Sequence, residues 1–364
     1  MRDEELDTFR GFAIIWVLFI HCIYWNGLFT STGATIAKSY LLFEMPLLFM
    51  ITGASNSLSQ KKYNLADHIV RRVSRIVIPY WVYAFICVFL IQITITFLQY
   101  PGSINYTSWF LTFGVKSDLW TNIPYLTSHL WFVPVFLIVI FIIPLLSYLH
   151  KRLVSFNKYI PLVVLFLLIP FLDYFMFGNA MTYYYVKNVI FYSFWIYLGF
   201  FYEQFKISPP KKRYLILVSV LAYVFLWLAI SNTTRYNVDM QLNKFPPNLA
   251  FLLMNIGNIS LFLLLKKYIA DIIRMLNLKG LFIRLGQNSY TVYLHQTFAF
   301  LAGAMILSVL NISLFDYDFI GVLYYLAVNI IFALLFIKMF GWVEKYKFES
   351  FGFLSRNKNK SLNG

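Results

Sequence analysis

Arg10 and His21 are the two side chains best placed to do chemistry in this chain. They lie in "LDTFRGFAIIWVLFIHC", Leu6 to Cys22, where Asp7 and Arg10 open a long apolar run and His21 interrupts it. On a helix, eleven positions bring two side chains to within about 20° of one face, about 16 Å apart along the axis. Asp7 falls on nearly the same stripe. Imidazole titrates close to neutrality and can take a proton from a hydroxyl, which suits acyl transfer to an alcohol. A guanidinium at the mouth of the helix suits an arriving anion. A histidine in a soluble core is usually a packing residue, but ionisable groups at membrane depth are costly and tend to line cavities.

Four further groups carry polar chemistry. In "NLADHIVRRVSRIVI" (64–78), His68, Arg71, Arg72 and Arg75 recur at helical spacing on one face, with Ile69, Val70, Val73, Ile76 and Val77 on the other. This is an amphipathic interfacial helix. Its arginine face can anchor lipid headgroups or cradle phosphates. Glu44 is the one carboxylate well inside an apolar run, at a depth from which it could orient His21 or hold its proton. His129 and Trp131 open another apolar run. The segment before them, 99–128, carries Tyr100, Tyr106, Trp109, Trp120 and Tyr125, which read as an interfacial belt or as sugar-stacking faces. His295 lies inside a late apolar run that also holds Tyr290 and Tyr293. No histidine, cysteine or carboxylate cluster has metal-ligand spacing, so no metal is expected. Cys22 and Cys87 lie in apolar runs and read as small core residues.

The elements that must position these groups are membrane spans. The chain of 364 residues is 60% hydrophobic and 12% charged, about half the charge of a soluble domain. Ten apolar stretches are long enough to cross a bilayer, at 11–29, 41–58, 79–98, 130–149, 160–177, 186–202, 214–231, 248–265, 288–310 and 319–341. Of the 30 Lys and Arg, 25 fall at the N-terminus, at the C-terminal end and in the gaps after the even-numbered spans. The other five, Lys38, Lys116, Lys187, Arg235 and Lys244, lie in the gaps after odd-numbered spans. This alternation predicts an all-α polytopic membrane protein with both termini cytoplasmic. The net charge of +15 then reflects topology and attraction to anionic membrane lipids, and no nucleic-acid partner is expected. The acidic N-terminus lacks the basic start of a secretory signal. Residues 1–341 read as one transmembrane domain and 342–364 as a short cytoplasmic tail.

Five stretches, in order, resemble the membrane acyltransferase 3 family. "LDTFRGFAIIWVLFIH" is similar to the family's opening Leu-Asp-x-x-Arg-Gly with histidine eleven positions after the arginine. "FEMPLLFMITGAS" (43–55) resembles its Met-Pro-Leu-Phe-Phe-x-x-Ser-Gly helix, with Thr52-Gly53 for Ser-Gly. "RRVSRIVIPYWV" (71–82) resembles its Arg-x-x-Arg segment before a proline, with Arg72 and Arg75 on the pattern and Arg71 beside it. "HLWFVPVFLIVIFIIPLL" (129–146) and "LGQNSYTVYLHQ" (285–296) resemble its Leu-Trp-Phe and Ser-Tyr-x-x-Tyr-Leu segments. The family usually has one residue between Tyr-Leu and a histidine, and "YLHQ" has none, so a role does not carry directly onto His295.

The resemblance implies an O-acyltransferase of a cell membrane, expected bacterial. It would take acetyl from cytoplasmic acetyl-CoA, or another acyl-CoA, and pass it to a hydroxyl of an extracytoplasmic carbohydrate. The candidate catalytic set is His21, Arg10 and Asp7 on the matched stretch, with Glu44 added by its depth, and His21 as general base or covalent relay. Arg71, Arg72 and Arg75 would hold the donor, and His129, Trp131, Tyr290 and Tyr293 the substrate. A separate extracytoplasmic transferase could finish the reaction. The competing reading is a transporter or flippase of envelope glycans or lipids, in which buried histidines and a carboxylate would carry protons.

Overall fold

The structure is a computed structural model. It describes residues 3–59, 65–97, 99, 103–113, 126–153, 155–175, 180–312 and 318–345, the side chains of 59, 65–68 and 155–156 excepted. His68, Lys116, Tyr100, Trp120, Tyr125 and the tail from 346 thus lie outside the residues it describes in full.

The described residues form fourteen α-helices and no β-strand. In chain order they are α1 (Glu4–Trp25), α2 (Thr32–Ser39), α3 (Glu44–Ser59), α4 (Leu65–Phe97), α5 (Tyr106–Phe110), α6 (Phe132–Arg152), α7 (Ile160–Tyr174), α8 (Ala180–Gly199), α9 (Tyr202–Ile207), α10 (Lys212–Asn232), α11 (Leu249–Met275), α12 (Lys279–Gln287), α13 (Ser289–Val309) and α14 (Asp318–Lys345). Helices dominate because a bilayer core offers no water to satisfy backbone polar groups, so each span must close its own hydrogen bonds.

A helix stands at each of the ten expected spans. Nine of the described helical segments are long and apolar enough to cross a membrane. The stretch expected at 186–202 is α8, of 20 residues, and it is the least lipid-like. Its Lys187, Asn188 and Ser193 are buried against protein. The helix packs between α3, α6 and α7, so its apolarity need not match that of a lipid-facing span. Lys187 pairs there with Asp173, which also accepts from the Tyr236 hydroxyl at 3.0 Å and caps α11 through Leu249 N at 2.9 Å.

Two further details differ from expectation. The arginine face and the span after it form one 33-residue helix, α4, with Pro79 inside it. The last helix continues beyond 341 to Lys345, so the first four residues assigned to the tail belong to the bundle.

Glycines set the closest helix contacts. A Cβ on Gly11 would stand 2.0 Å from the Phe282 carbonyl oxygen, and one on Gly286 would stand 2.0 Å from that of Asp7. α1 and α12 therefore touch backbone to backbone. Gly53 on α3 and Gly199 on α8 make the same kind of contact with Ile196 and Met50. Close approach through small residues is how membrane helices gain packing without a hydrophobic drive. The acidic start of α1 is tied down by lysines from three other helices. Asp3 pairs with Lys206 at 2.8 Å, Glu4 with Lys279 at 2.8 Å and Glu5 with Lys266 at 3.8 Å.

Candidate active site

A cavity of about 510 Å³ opens at the end of the bundle where α1 begins and α14 ends. Its mouth carries Arg10, Arg71, Arg72, Arg75, Glu344 and Lys345. Its inner wall is mainly apolar and aromatic, with Ile14, Met45, Phe49, Phe132, Phe136 and Tyr293. Five cations against one carboxylate give the mouth a positive potential that favours anions.

Two of the arginines are placed by different devices. Arg10 is held by Asp7 at 3.1 Å, one turn back on α1. Asp7 is itself buried and receives Gln287 Nε2 at 3.4 Å. Asp7 therefore orients Arg10 and does not line the cavity. Arg72 donates through Nη2 to Asn56 Oδ1 at 2.9 Å, which ties α4 to α3. Arg75 is exposed at the mouth, and Arg71 is partly buried there. Glu344 accepts from both the backbone N–H and the hydroxyl of Thr291 at 3.0 Å, capping the first turn of α13. Tyr290 lines the cavity, and its hydroxyl has no hydrogen-bond partner among the described residues.

His21 stands deeper. It does not line this cavity, but Ile14, two turns below it on the same face of α1, does. At helical rise that is about 10 Å. His21 is half-buried and stacks on Trp25, ring centroids 4.2 Å apart and planes 11° apart. Its Nδ1 is 2.7 Å from Gln296 Oε1 on α13. Trp25 leads on to His129 at 6.0 Å, and His129 also faces Tyr83 at 5.7 Å and Tyr293 at 5.3 Å. The Tyr293 hydroxyl donates to the His129 carbonyl, so one residue bounds the cavity and braces the segment above it.

Glu44 is not the partner of His21. Its Oε1 is bound to Lys244 Nζ at 2.8 Å, in a buried pair. The depth argument expected Glu44 to serve His21, but a cation 200 positions further on claims it. Above the pair stands Trp131, its ring 4.9 Å from that of Phe245 and 5.9 Å from the Lys244 ammonium. His129 and Trp131 thus belong to the same region as Glu44 and His21, and the four do not share the arginine-lined mouth.

His295 faces the other way. Its Nδ1 bonds to the Thr291 carbonyl at 2.9 Å, and its ring lies against Phe336 and Phe340 of α14 at 5.0 and 4.9 Å. One position around the helix, about 100°, separates a packing histidine from the residue that meets His21. Gln296, Lys244, Asn56 and Glu344 were not singled out from the sequence. A glutamine deep in an apolar run is a signal for Gln296, whereas Lys244 stands in a polar loop and gives none. Asn56 and Glu344 sit at helix ends, where polar residues are ordinary.

An integral-membrane helical bundle with a basic cavity at one end and a histidine above it narrows the class to enzymes and carriers that handle anions. The family model described as an acyltransferase domain matches residues 3–337, and the chain belongs to this acyltransferase 3 family. It is a membrane acyltransferase. No curated protein and no solved structure matches it.

Proposed function

We propose that this enzyme moves an acyl group, in the first instance acetyl, from acyl-CoA in the arginine-lined cavity to a hydroxyl of a carbohydrate or related envelope acceptor approaching from the opposite end. The observation that carries the reading is the convergence of Arg10, Arg71, Arg72, Arg75 and Lys345 on a cavity whose inner wall is apolar and ascends toward His21. A thioester donor has that polarity, with phosphates at one end and a long uncharged arm at the other. Guanidinium groups suit phosphates through charge and forked hydrogen bonds. The positive-inside distribution of Lys and Arg supports a cytoplasmic position for this mouth and for both termini, and the membrane of this reading is a bacterial plasma membrane.

In this mechanism the acceptor hydroxyl attacks the thioester carbonyl. His21 takes the hydroxyl proton as the new C–O bond forms, and returns a proton to the leaving thiolate as the C–S bond breaks. A covalent acyl-histidine is the second form of the same chemistry. Trp131 and Phe245 offer aromatic faces on the acceptor side, and Lys244 and Glu44 offer hydrogen-bonding groups there.

The test uses native-host membranes carrying wild-type enzyme or His21→Ala at matched expression, with acetyl-labelled acetyl-CoA. Label should enter a polysaccharide or glycolipid fraction in wild type and vanish in the variant. Absence of label with wild-type enzyme overturns acetyl-CoA as donor, and equal labelling with the variant overturns the role of His21.

A further inference from the structure

We infer that Gln296 is a positioning residue that keeps the proton of His21 on Nδ1, so that Nε2 is the nitrogen that takes the acceptor's proton. The inference rests on the proposed role of His21 and adds to it the atom and the partner.

The assignment follows from which groups can donate. Gln296 lies in α13, and its Nε2 is 2.8 Å from the Tyr293 carbonyl oxygen, three residues earlier. A carbonyl oxygen only accepts, so the amide nitrogen must be the end that faces it. The amide oxygen then faces His21, at 2.7 Å from Nδ1. That oxygen also only accepts, so Nδ1 must carry the hydrogen. In the neutral imidazole, Nε2 is left with the lone pair. Reversing the amide would set oxygen against oxygen at Tyr293. Tyr293 is itself braced by its hydroxyl on the His129 carbonyl, so the anchor of the amide is fixed at both ends.

No other described group competes for this task. Among the described residues, Lys244 and His129 act electrostatically on His21. Lys244 is engaged by Glu44 at 2.8 Å, and neither Lys244 nor His129 is hydrogen-bonded to His21. Trp25 stacks on the imidazole face and takes no part in the hydrogen bonding at its edge. The partner of the base is therefore an uncharged amide. It selects a tautomer without itself gaining or losing a proton. During transfer Nδ1–H stays on Gln296 Oε1. Nε2 receives the hydroxyl proton and then passes a proton to the thiolate released from the thioester.

The experiment compares wild type, Gln296→Leu, Gln296→Glu and His21→Ala, singly and with His21→Ala combined with Gln296→Leu. Release of free thiol from acetyl-CoA is followed in native-host membranes, and expression and thermal midpoint are checked alongside. Gln296→Leu should lower kcat at least tenfold and leave KM for acetyl-CoA within about twofold, the size of loss seen when an orienting partner of a histidine is removed. Gln296→Glu, which keeps an acceptor oxygen in place, should stay within about fivefold of wild type. In the His21→Ala background Gln296→Leu should cost nothing further. If Gln296→Leu is poorly produced, Gln296→Met takes its place with the same expectations. Wild-type kcat in Gln296→Leu beside an inactive His21→Ala overturns the positioning role alone. Equal losses in the Leu and Glu variants also overturn it. Full activity in His21→Ala removes the proposed base and this inference together.

Discussion

Removing the ammonium of Lys244 would strand the Glu44 carboxylate in the interior. The two charges are 2.8 Å apart, and their side chains are only 8% and 4% exposed. At an effective dielectric of about 20, attraction at that distance is about 6 kcal/mol, and it offsets a desolvation penalty of several kcal/mol per ion. Taking away one partner therefore costs about 3–5 kcal/mol, whereas replacing both by uncharged groups of similar volume is close to neutral. With an unfolding entropy of about 2.1 cal/mol/K per residue, 364 residues correspond to about 0.76 kcal/mol/K. Lys244→Met should then lower the midpoint of thermal unfolding by about 4–7 °C, and Glu44→Gln by a similar amount. The double variant should recover most of that loss. Tryptophan fluorescence of the detergent-solubilised protein reads all four midpoints. A double variant that falls by the sum of the singles would refute a mutually neutralising pair, because independent sites add and coupled ones do not.

Three further outcomes follow from packing and charge. Gly11→Ala or Gly286→Ala places a methyl 2.0 Å from a backbone oxygen, so each should abolish monodisperse folded protein by size-exclusion chromatography, whereas Gly280→Ala, which meets nothing within 4 Å, should not. Arg72→Ala should raise KM for acyl-CoA at least tenfold with little change in kcat; Asn56→Leu, which frees the Arg72 guanidinium, should raise it less, and equal KM values in all three proteins would contradict donor binding at this face. The Asp3 carboxyl would be pushed up by its burial, but hydrogen bonds from Lys206 and Leu6 N outweigh this and hold it below its ordinary value near 3.8. A depressed carboxylate contributes stability above its unfolded pKa and loses it as the pH falls through the folded one. Lys206 is half-exposed, so the contribution stays below about 1 kcal/mol. Proteolysis near the N-terminus should rise below about pH 4 in wild type and rise less over that range in Asp3→Asn, in which only the Glu4 and Glu5 pairs remain to titrate.

The parts legible in the sequence were those governed by local rules. Every expected span is a helix because twenty apolar residues in lipid have no other way to satisfy their backbone. Arg10 and His21 share a stripe because α1 is continuous between them, and Arg71, Arg72 and Arg75 share a face for the same reason. The helical register alone brings no two of these helices together. The cavity exists because α4, α1, α13 and α14 converge at one end, and Glu344, placed by the sequence in a tail, lines it because α14 runs one turn further than its apolar content required.

The pairings were decided by tertiary structure alone. His21 meets Gln296 across 275 positions and Glu44 meets Lys244 across 200. Which residue of "YLHQ" faces α1 depends on how α13 is rotated, and one residue's difference of about 100° exchanges a histidine for a glutamine at the base. The amino-acid order by itself determined a membrane bundle, a histidine on its first helix and a cationic end. Backbone contact at Gly11 and Gly286, the brace from Tyr293 and the burial of Lys244 decided what that histidine and that carboxylate touch, because side-chain partnership depends on helix rotation and distance, which no local periodicity encodes.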